Sequence, residues 1–269
     1  MRGLSRASLA EVEERFHAVA GSADLGSLAD ELFALADLFD REHGLRRYLS
    51  DPARPAAQKA QAARVLLDGK VSDAALETVV QAVSVKWSRA GDLVDALERF
   101  GVTAASAEAE AQGRLDDVED ELFRFGRILA SNLPLHRVLS DPAVAKQAKR
   151  ELLGSLLAGK VVPATLRLVT QVVVHPRGRS LDRGLDEFGS LVAAQRQRLV
   201  AVVRSAVELS EEQRRRIATW LSTSYGRDVH LNVEVDPRVL GGFSVQIGDD
   251  LIDTTVAGRI EEVRRRLAG

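Results

Sequence analysis

The sequence contains no cysteine among its 269 residues. This excludes disulfide bonds, thiolate metal sites and redox chemistry at sulfur. The sequence also lacks any apolar run close to the roughly 18 residues that a membrane-spanning helix needs. Glu11, Glu13 and Glu14 occupy the place where a signal peptide would have its apolar core, and the ends carry neither a myristoylation glycine nor a prenylation cysteine. We therefore expect the protein to stay where it is made and to reach a membrane only through another protein.

A strong positive charge is missing as well. The formal net charge is −2, and no third of the chain builds the basic field that nucleic-acid binding requires. The five histidines are spread along the chain without a second ligand at metal spacing. A composition of 45% hydrophobic and 28% charged residues is that of an ordinary globular protein. Neither a nucleic-acid partner nor a metal ion is expected.

Residue sets that perform catalysis are also absent. The chain shows no recognisable catalytic set of serine, histidine and acid, and it has no nucleophile elbow. Asp249, Asp250 and Asp253 could bind a cation or support acid and base catalysis, but a hairpin turn and a helix start have the same composition. Gly241-Gly242 lacks the lysine and hydroxyl residue of a phosphate loop. We predict no catalytic, cofactor-binding or metal-binding residue, and the acidic group is the only basis for the alternative of an enzyme.

What the sequence does contain is an internal repeat. Leu49-Ser50-Asp51-Pro52-Ala53 recurs as Leu139-Ser140-Asp141-Pro142-Ala143, an offset of 139 − 49 = 90 residues. At the same offset, residues 30–83 share 22 identities with residues 120–173 over 54 ungapped positions. The pattern predicts a duplicated structural unit of about 90 residues.

Apolar residues at helical spacing fill both copies of the repeat. In the first copy, Ser8 and Glu11 are spaced as a capping box for the first helix, and Gly44 is predicted to end the second helix in a left-handed conformation. Ser72 is predicted to cap a later helix. Because no proline interrupts the alanine-rich stretch 104–111, the first copy is expected to pass into the second through helix.

The composition changes after residue 198, where β-branched residues replace alanine. Ser210 and Gln213 form a second capping box, and residues 229–235 alternate between apolar and polar side chains as in a strand. A terminal helix is predicted from Thr254 or Thr255. The fold class is therefore α+β: two tandem helical-bundle units at residues 1–101 and 102–198, followed by a small α/β module with a mostly antiparallel sheet at residues 199–269.

The end of the chain carries an ordered series of motifs. They are Val235-Asp236-Pro237, Leu240-Gly241-Gly242-Phe243, Val245-Gln246-Ile247-Gly248-Asp249, Leu251-Ile252-Asp253 and Gly258-Arg259. The series resembles the delta subunit of the rotary F-type ATP synthase, the oligomycin sensitivity conferral protein family, and the resemblance extends from about residue 5 to residue 267. Most members of that family have one helical unit, whereas this chain resembles the long forms. The resemblance implies a structural role for these motif residues: Asp236, Pro237, Gly241, Gly242, Gly248, Asp249, Asp253, Gly258 and Arg259.

The resemblance also implies a function. Proteins of this kind are non-catalytic subunits of the peripheral stalk, or stator, which keeps the catalytic head from turning with the rotor. The helical part would hold the N-terminal helices of the alpha subunits, and the C-terminal module would bind the ends of the b subunits. The expected location is the cytoplasmic face of the plasma membrane, as a peripheral part of the complex and without a cofactor. The alternative is a helical scaffold or adaptor with unrelated partners.

Candidate partner contacts lie at both ends of the chain. Leu9, Val12, Phe16 and Val19 are predicted to bind the alpha-subunit helix, because a groove for a helix needs bulky walls. The second unit has alanines instead, a face that suits close packing: Ala104, Ala105, Ala107, Ala109 and Ala111. The sequence leaves open the alternative that the four residues only fill the first unit's core and that the second unit keeps the site. Leu267 would either close the module's own core or contact the b subunits.

Overall fold

The computed structural model describes residues 3–196, 199–225, 229–236, 239, 242–247 and 250–253. The chain divides into two compact units, which we call the helical unit, Met1–Arg196, and the C-terminal unit, Gln197–Gly269. Among the described residues, none of the helices combines the length and the apolar character needed to cross a bilayer.

In the described residues of the helical unit, all the regular secondary structure is helix. Its helices are α1 (Leu4–Ala20), α2 (Leu25–Arg41), α3 (His43–Ser50), α4 (Ala56–Leu67), α5 (Asp73–Ser84), α6 (Ala90–Ala111), α7 (Leu115–Ser131), α8 (Leu133–Ser140), α9 (Lys146–Leu157), α10 (Pro163–Val174) and α11 (Leu181–Arg196). Residues from both copies of the repeat belong to one hydrophobic core, which includes Phe16, Phe100 and Phe188.

The repeat of the sequence is a repeat of structure. Helices α2 to α5 recur as α7 to α10, with the same lengths and an offset of 90 residues. The equivalent of α1 in the second copy is residues 94–110, which lie inside α6. The equivalent of α11 in the first copy begins near residue 91, also inside α6. Helix α6 is therefore both the last helix of the first copy and the first helix of the second.

This double role joins the two copies without a linker. The expected helical passage from one copy to the other is confirmed as α6, and the predicted division between residues 101 and 102 falls within that helix. We call residues 4–111 the first repeat and residues 90–196 the second repeat, with α6 in common. A hinge between the repeats would require α6 to bend or unfold, because there is no loop at that point.

Some predicted helix ends are wrong. Ser8 lies inside α1, not at its start, and its hydroxyl donates to the carbonyl of Lys86 at 2.6 Å. Gly44 does not end α2; it lies in the short helix α3, which the pattern did not predict. The cap at Ser72 is confirmed, because its hydroxyl accepts from the Ala75 amide at 3.2 Å.

The C-terminal unit contains a sheet and a helix. Its elements are β1 (Leu199–Ser205), α12 (Glu211–Tyr225), β2 (Val229–Val235), β3 (Phe243–Ile247) and β4 (Asp250–Asp253). The strand order is β2-β1-β3-β4; β1 pairs with β2 in parallel, while the other two pairs are antiparallel. The capping box is confirmed: the Gln213 amide donates to the Ser210 hydroxyl at 3.3 Å, and the Ser210 amide donates to the Gln213 side chain at 2.8 Å. The α+β class with a mostly antiparallel sheet is thus confirmed.

Candidate interaction surfaces

The four residues predicted on α1 do not share one exposed face. Val12 and Phe16 are 0% and 1% exposed, and the Phe16 ring stacks on Phe100 of α6 with centroids 4.9 Å apart. Leu9 is half-buried and lines a groove of about 910 Å³ that also includes α11 residues. Val19 is half-buried on the opposite flank of the helix. Within this chain, Val12 and Phe16 contribute to the core, and only Leu9 and Val19 reach the surface.

The flank of α1 that carries Val19 lies beside α5. A polar contact connects the two helices there: Arg15 of α1 donates to Gln81 of α5 at 2.6 Å. Within α1, Arg15 also donates to Glu11 at 3.1 Å. Gln81 in turn donates to Glu77. Glu11 and Arg15 are exposed, so this flank is open to solvent in the described part of the chain. A partner helix could lie along α1 and α5 without displacing the core.

The equivalent flank of the second repeat, formed by α6 and α10, is covered by α2. A Cβ atom at Gly101 of α6 would lie 2.7 Å from the Phe33 ring of α2, and one at Gly26 of α2 would lie 2.6 Å from the Glu108 carboxylate of α6. These contacts lie on one side of α6, because positions three, four and seven residues apart share a helix face. Three of the predicted alanines lie on this buried side or beside it: Ala104, Ala105 and Ala109, none more than 1% exposed. The alanine-rich face therefore serves close packing of α2 on α6, as the sequence predicts.

Charged side chains reinforce the contact between the repeats. Arg167 of α10 donates to Asp30 of α2 and to Glu108 of α6, both at 2.7 Å. Arg177 and Arg179 donate to the two oxygens of Glu98 at 3.0 and 2.7 Å, and the Glu98 side chain is only 4% exposed. These pairs join α10, or the turn before α11, to α2 of the first repeat and to the shared helix α6.

His175 forms a further contact between the repeats. Its Nδ1 lies 2.6 Å from the Asp37 carboxylate on α2, and its Nε2 lies 3.2 Å from the Arg150 guanidinium on α9. Burial has the largest influence and lowers the pKa of His175; Asp37 raises it, while Lys146 and Arg150 lower it, so that the pKa lies below the ordinary 6.5. A neutral ring with its proton on Nδ1 suits this setting, because it donates to Asp37 and accepts from Arg150.

The motif residues at the end of the chain are described in part. Asp236 donates its backbone amide to the Ser205 carbonyl at 2.9 Å, which ties the end of β2 to β1. Gly242 has a φ of 80°, in the left-handed region that favours glycine. Asp253 pairs with Ser244 at the end of β4. The remaining predicted residues lie outside the described ones: Pro237, Gly241, Gly248, Asp249, Gly258, Arg259 and Leu267.

The described residues contain no group of three or more histidine, aspartate or glutamate side chains that could hold a metal ion. The described residues form buried ion pairs, apolar packing and open helix flanks. Such features position and join protein surfaces, so the candidate sites of this chain are interaction surfaces.

Comparison with known proteins gives one family. The family model of the "ATP synthase delta (OSCP) subunit" matches residues 102–267. The proteins named "ATP synthase subunit delta" of Thermobifida fusca (strain YX) and Streptomyces griseus are 49% and 48% identical over 269 and 271 residues, and each alignment covers 100% of both chains. The protein of the same name from Kineococcus radiotolerans is 42% identical over 269 residues, covering 99% of this chain and 98% of its own. The family model thus matches the second repeat and the C-terminal unit, while the relatives also match the first repeat.

Proposed function

The chain belongs to the ATP synthase delta (OSCP) subunit family, and we propose that it links the alpha subunits of the catalytic head to the b subunits of the peripheral stalk. Delta is a non-catalytic, peripheral-stalk subunit, so ATP synthesis and proton transport are activities of the complex and not of this chain alone. The observation that carries the proposal is the full-length match to delta subunits, which includes both repeats. The complex acts at a membrane, and we place this subunit on the cytoplasmic face.

A stator subunit has to transmit torque without bending. Two features of the helical unit support this task. Helix α6 belongs to both repeats, so the repeats have no flexible linker between them. Buried ion pairs such as Glu98 with Arg179 fix the second repeat against α6 in a defined orientation. The helical unit is therefore built as a single stiff body.

We propose further that the first repeat holds the N-terminal helix of an alpha subunit, along the open flank of α1 and α5. In this proposal Val19, Arg15 and Gln81 contact the partner helix, while Val12 and Phe16 support α1 from inside. Leu9 lies on the other side of α1. The packing of α2 on α6 supports the assignment, because the equivalent flank of the second repeat is already occupied.

The second repeat is the alternative location for the alpha-subunit helix. It is favoured by the family model, which begins at residue 102 and so includes the second repeat and not the first. A partner helix there would have to bind beside α2, where Leu166 of α10 lines a groove of about 490 Å³.

Calorimetry with a peptide of the alpha-subunit N-terminus distinguishes the two locations. Val19→Lys in the full chain should weaken binding at least tenfold, since it places a charge on the proposed contact flank. Val65→Lys is the matched control, because Val65 is 72% exposed and lies on α4, a helix that neither proposed location includes. If Leu166→Lys weakens binding and Val19→Lys does not, the second repeat holds the helix and our assignment is wrong.

The contact with the b subunits is assigned to the C-terminal unit, including the segment that ends near Leu267. Co-purification tests the complete proposal: a tagged chain should bring down alpha, beta and b subunits from solubilised membranes. Recovery of the chain with unrelated proteins only would favour a general helical scaffold instead. Deletion of residues 199–269 should remove b while the alpha contact persists.

A further inference from the structure

A groove of about 640 Å³ runs between α7 and α11 on the surface of the second repeat. Phe123 lies in its wall and is 67% exposed, although large apolar side chains are mostly buried. A Cβ atom built at Gly126 or Gly189 would meet no atom within 4 Å. Both helix backbones are thus accessible at these glycines, and another helix has room to pack there on the apolar surface of the groove.

The equivalent face of the first repeat, between α2 and α6, is covered. Phe33, which lies 90 residues before Phe123, is only 5% exposed. Its ring stacks on Phe188 of α11, with centroids 6.4 Å apart. Asp30, the equivalent of Asp120, accepts from Arg167 of α10 at 2.7 Å. The first copy of this face therefore shows which kind of neighbour the face accepts: helices that supply an apolar ring and an arginine.

From this equivalence we propose that the groove between α7 and α11 binds one amphipathic helix of a partner protein, whose apolar stripe is flanked by basic residues and one acidic residue. An apolar side chain of the partner covers Phe123, as Phe188 covers Phe33. A lysine or arginine of the partner binds Asp120, which within the described chain pairs with Arg124 of its own helix at 3.3 Å, both side chains being 71% exposed. Asp182 and Asp186 of α11 add negative charge to the same groove.

Arg127 gives the partner helix a direction. It occupies the position of Asp37, which in the first repeat binds His175. The separation of seven positions between Asp120 and Arg127 corresponds to about 10.5 Å along α7. The partner helix therefore carries a basic residue and an acidic residue about two turns apart, so that each meets an opposite charge. This inference does not rest on the alpha-subunit contact proposed above, which uses another surface.

Site-specific photo-crosslinking in the full chain tests the inference. A photoreactive phenylalanine analogue replaces Phe123, and the protein is irradiated in solubilised membranes of the cells that make it. The same analogue at Val65, which is 72% exposed on α4, is the matched control for exposure. We expect a crosslink from position 123 to a helical segment of another protein that carries the stated charge pattern. Thermal unfolding by circular dichroism checks that each substituted chain is folded.

Charge reversal separates a specific contact from a chance one. Asp120→Lys together with Asp186→Lys should lower the crosslink yield at least tenfold, while Asp68→Lys, on an exposed residue after α4, should leave it unchanged. The inference is overturned by three results: a yield at position 123 no higher than at position 65, crosslinks only within this chain, including residues 197–269, or a crosslink that charge reversal does not change. Co-purified ATP synthase subunits without the crosslink would contradict this inference and leave the proposed function intact.

Discussion

At the scale of single residues, Glu98 is one of the few charged side chains that the helical unit buries. Its carboxylate accepts from Arg177 and Arg179 while 4% exposed, and Arg177 has a φ of 49°, which is unfavourable for a residue other than glycine. The strained turn is thus stabilised by the carboxylate that it binds. Arginine is suited to such buried pairs, because its planar guanidinium can serve two acceptors and stays charged.

Replacing Glu98 by glutamine should therefore destabilise the helical unit by about 1–3 kcal/mol, because two buried guanidinium groups each lose a charged acceptor while Arg177 keeps Asp95 and Arg179 keeps Glu187. Asp120→Asn is the control: its pair with Arg124 is 71% exposed on both sides, and such pairs contribute at most about 0.5 kcal/mol. Urea unfolding at neutral pH measures both. Equal effects of the two substitutions would mean that the buried pair does not stabilise the unit.

His175 gives the unit a dependence on pH. Because its pKa is below the ordinary 6.5 in the folded chain, the unfolded chain binds more protons between the two values, and stability falls as pH drops through that window. His175→Ala should cost about 1–3 kcal/mol at pH 7, through loss of buried hydrogen bonds. The difference from wild type should shrink towards pH 5. A difference for His175→Ala that grows on acidification would contradict the argument.

At the scale of elements, the contact between α2 and α6 depends on glycine. A methyl group at Gly101 would lie 2.7 Å from the Phe33 ring, and that ring is held by its stack on Phe188. Gly101→Ala should therefore destabilise by about 1–2 kcal/mol, the cost of overpacking less the helix propensity gained. Gly126→Ala, in the middle of α7 with open space around it, should stabilise by about 0.5–1 kcal/mol. Chemical denaturation measures the free energy of unfolding of both variants. A more stable Gly101→Ala together with a less stable Gly126→Ala would contradict this expectation.

The sequence predicts most of the elements because their signals are local. The apolar periodicity and the caps at Ser72 and Ser210 depend only on neighbours in the chain, and the structure confirms them. The offset of 90 residues follows from comparing the two copies with each other, and the structure confirms it as well. Ser8 misled the prediction, because its hydroxyl binds the carbonyl of Lys86, 78 residues away. A capping signal cannot be distinguished from such a long-range bond by spacing alone.

The candidate surfaces were harder to predict for a related reason. An apolar stripe such as Val12 and Phe16 looks the same whether its own chain or a partner covers it, and here its own chain covers both residues. Phe33 of the first repeat and Phe123 of the second occupy the same position in the pattern, yet one is 5% and the other 67% exposed, because different elements surround them. Only the arrangement of the helices around α6 shows what covers each apolar residue. The sequence repeat, with its offset of 90 residues, did not reveal that one helix belongs to both repeats.

At the scale of the whole molecule, we expect the two repeats to unfold as one cooperative structure, because they share α6 and one hydrophobic core. A local opening of the first repeat removes the cover from the alanine-rich face of α6, and with it the support of α10 and α11. Repeat proteins normally couple neighbours through interfaces; here the neighbours are coupled through a common helix. A stator benefits, because torque applied at one end cannot be relieved by opening one repeat.

This coupling predicts how a distant substitution acts. Phe16→Ala, in the first repeat, removes a ring that is 1% exposed and stacked on Phe100 of α6, at a cost of about 3–5 kcal/mol. Native-state hydrogen exchange should then show reduced protection in α10 and α11 of the second repeat as well as in α1, since both repeats open together through α6. Ile217→Ala is the matched control, because Ile217 belongs to the separate core of the C-terminal unit and should leave α10 and α11 protected. If Phe16→Ala reduced protection only in α1 to α5, the repeats would be independent folding units and the shared helix would not couple them.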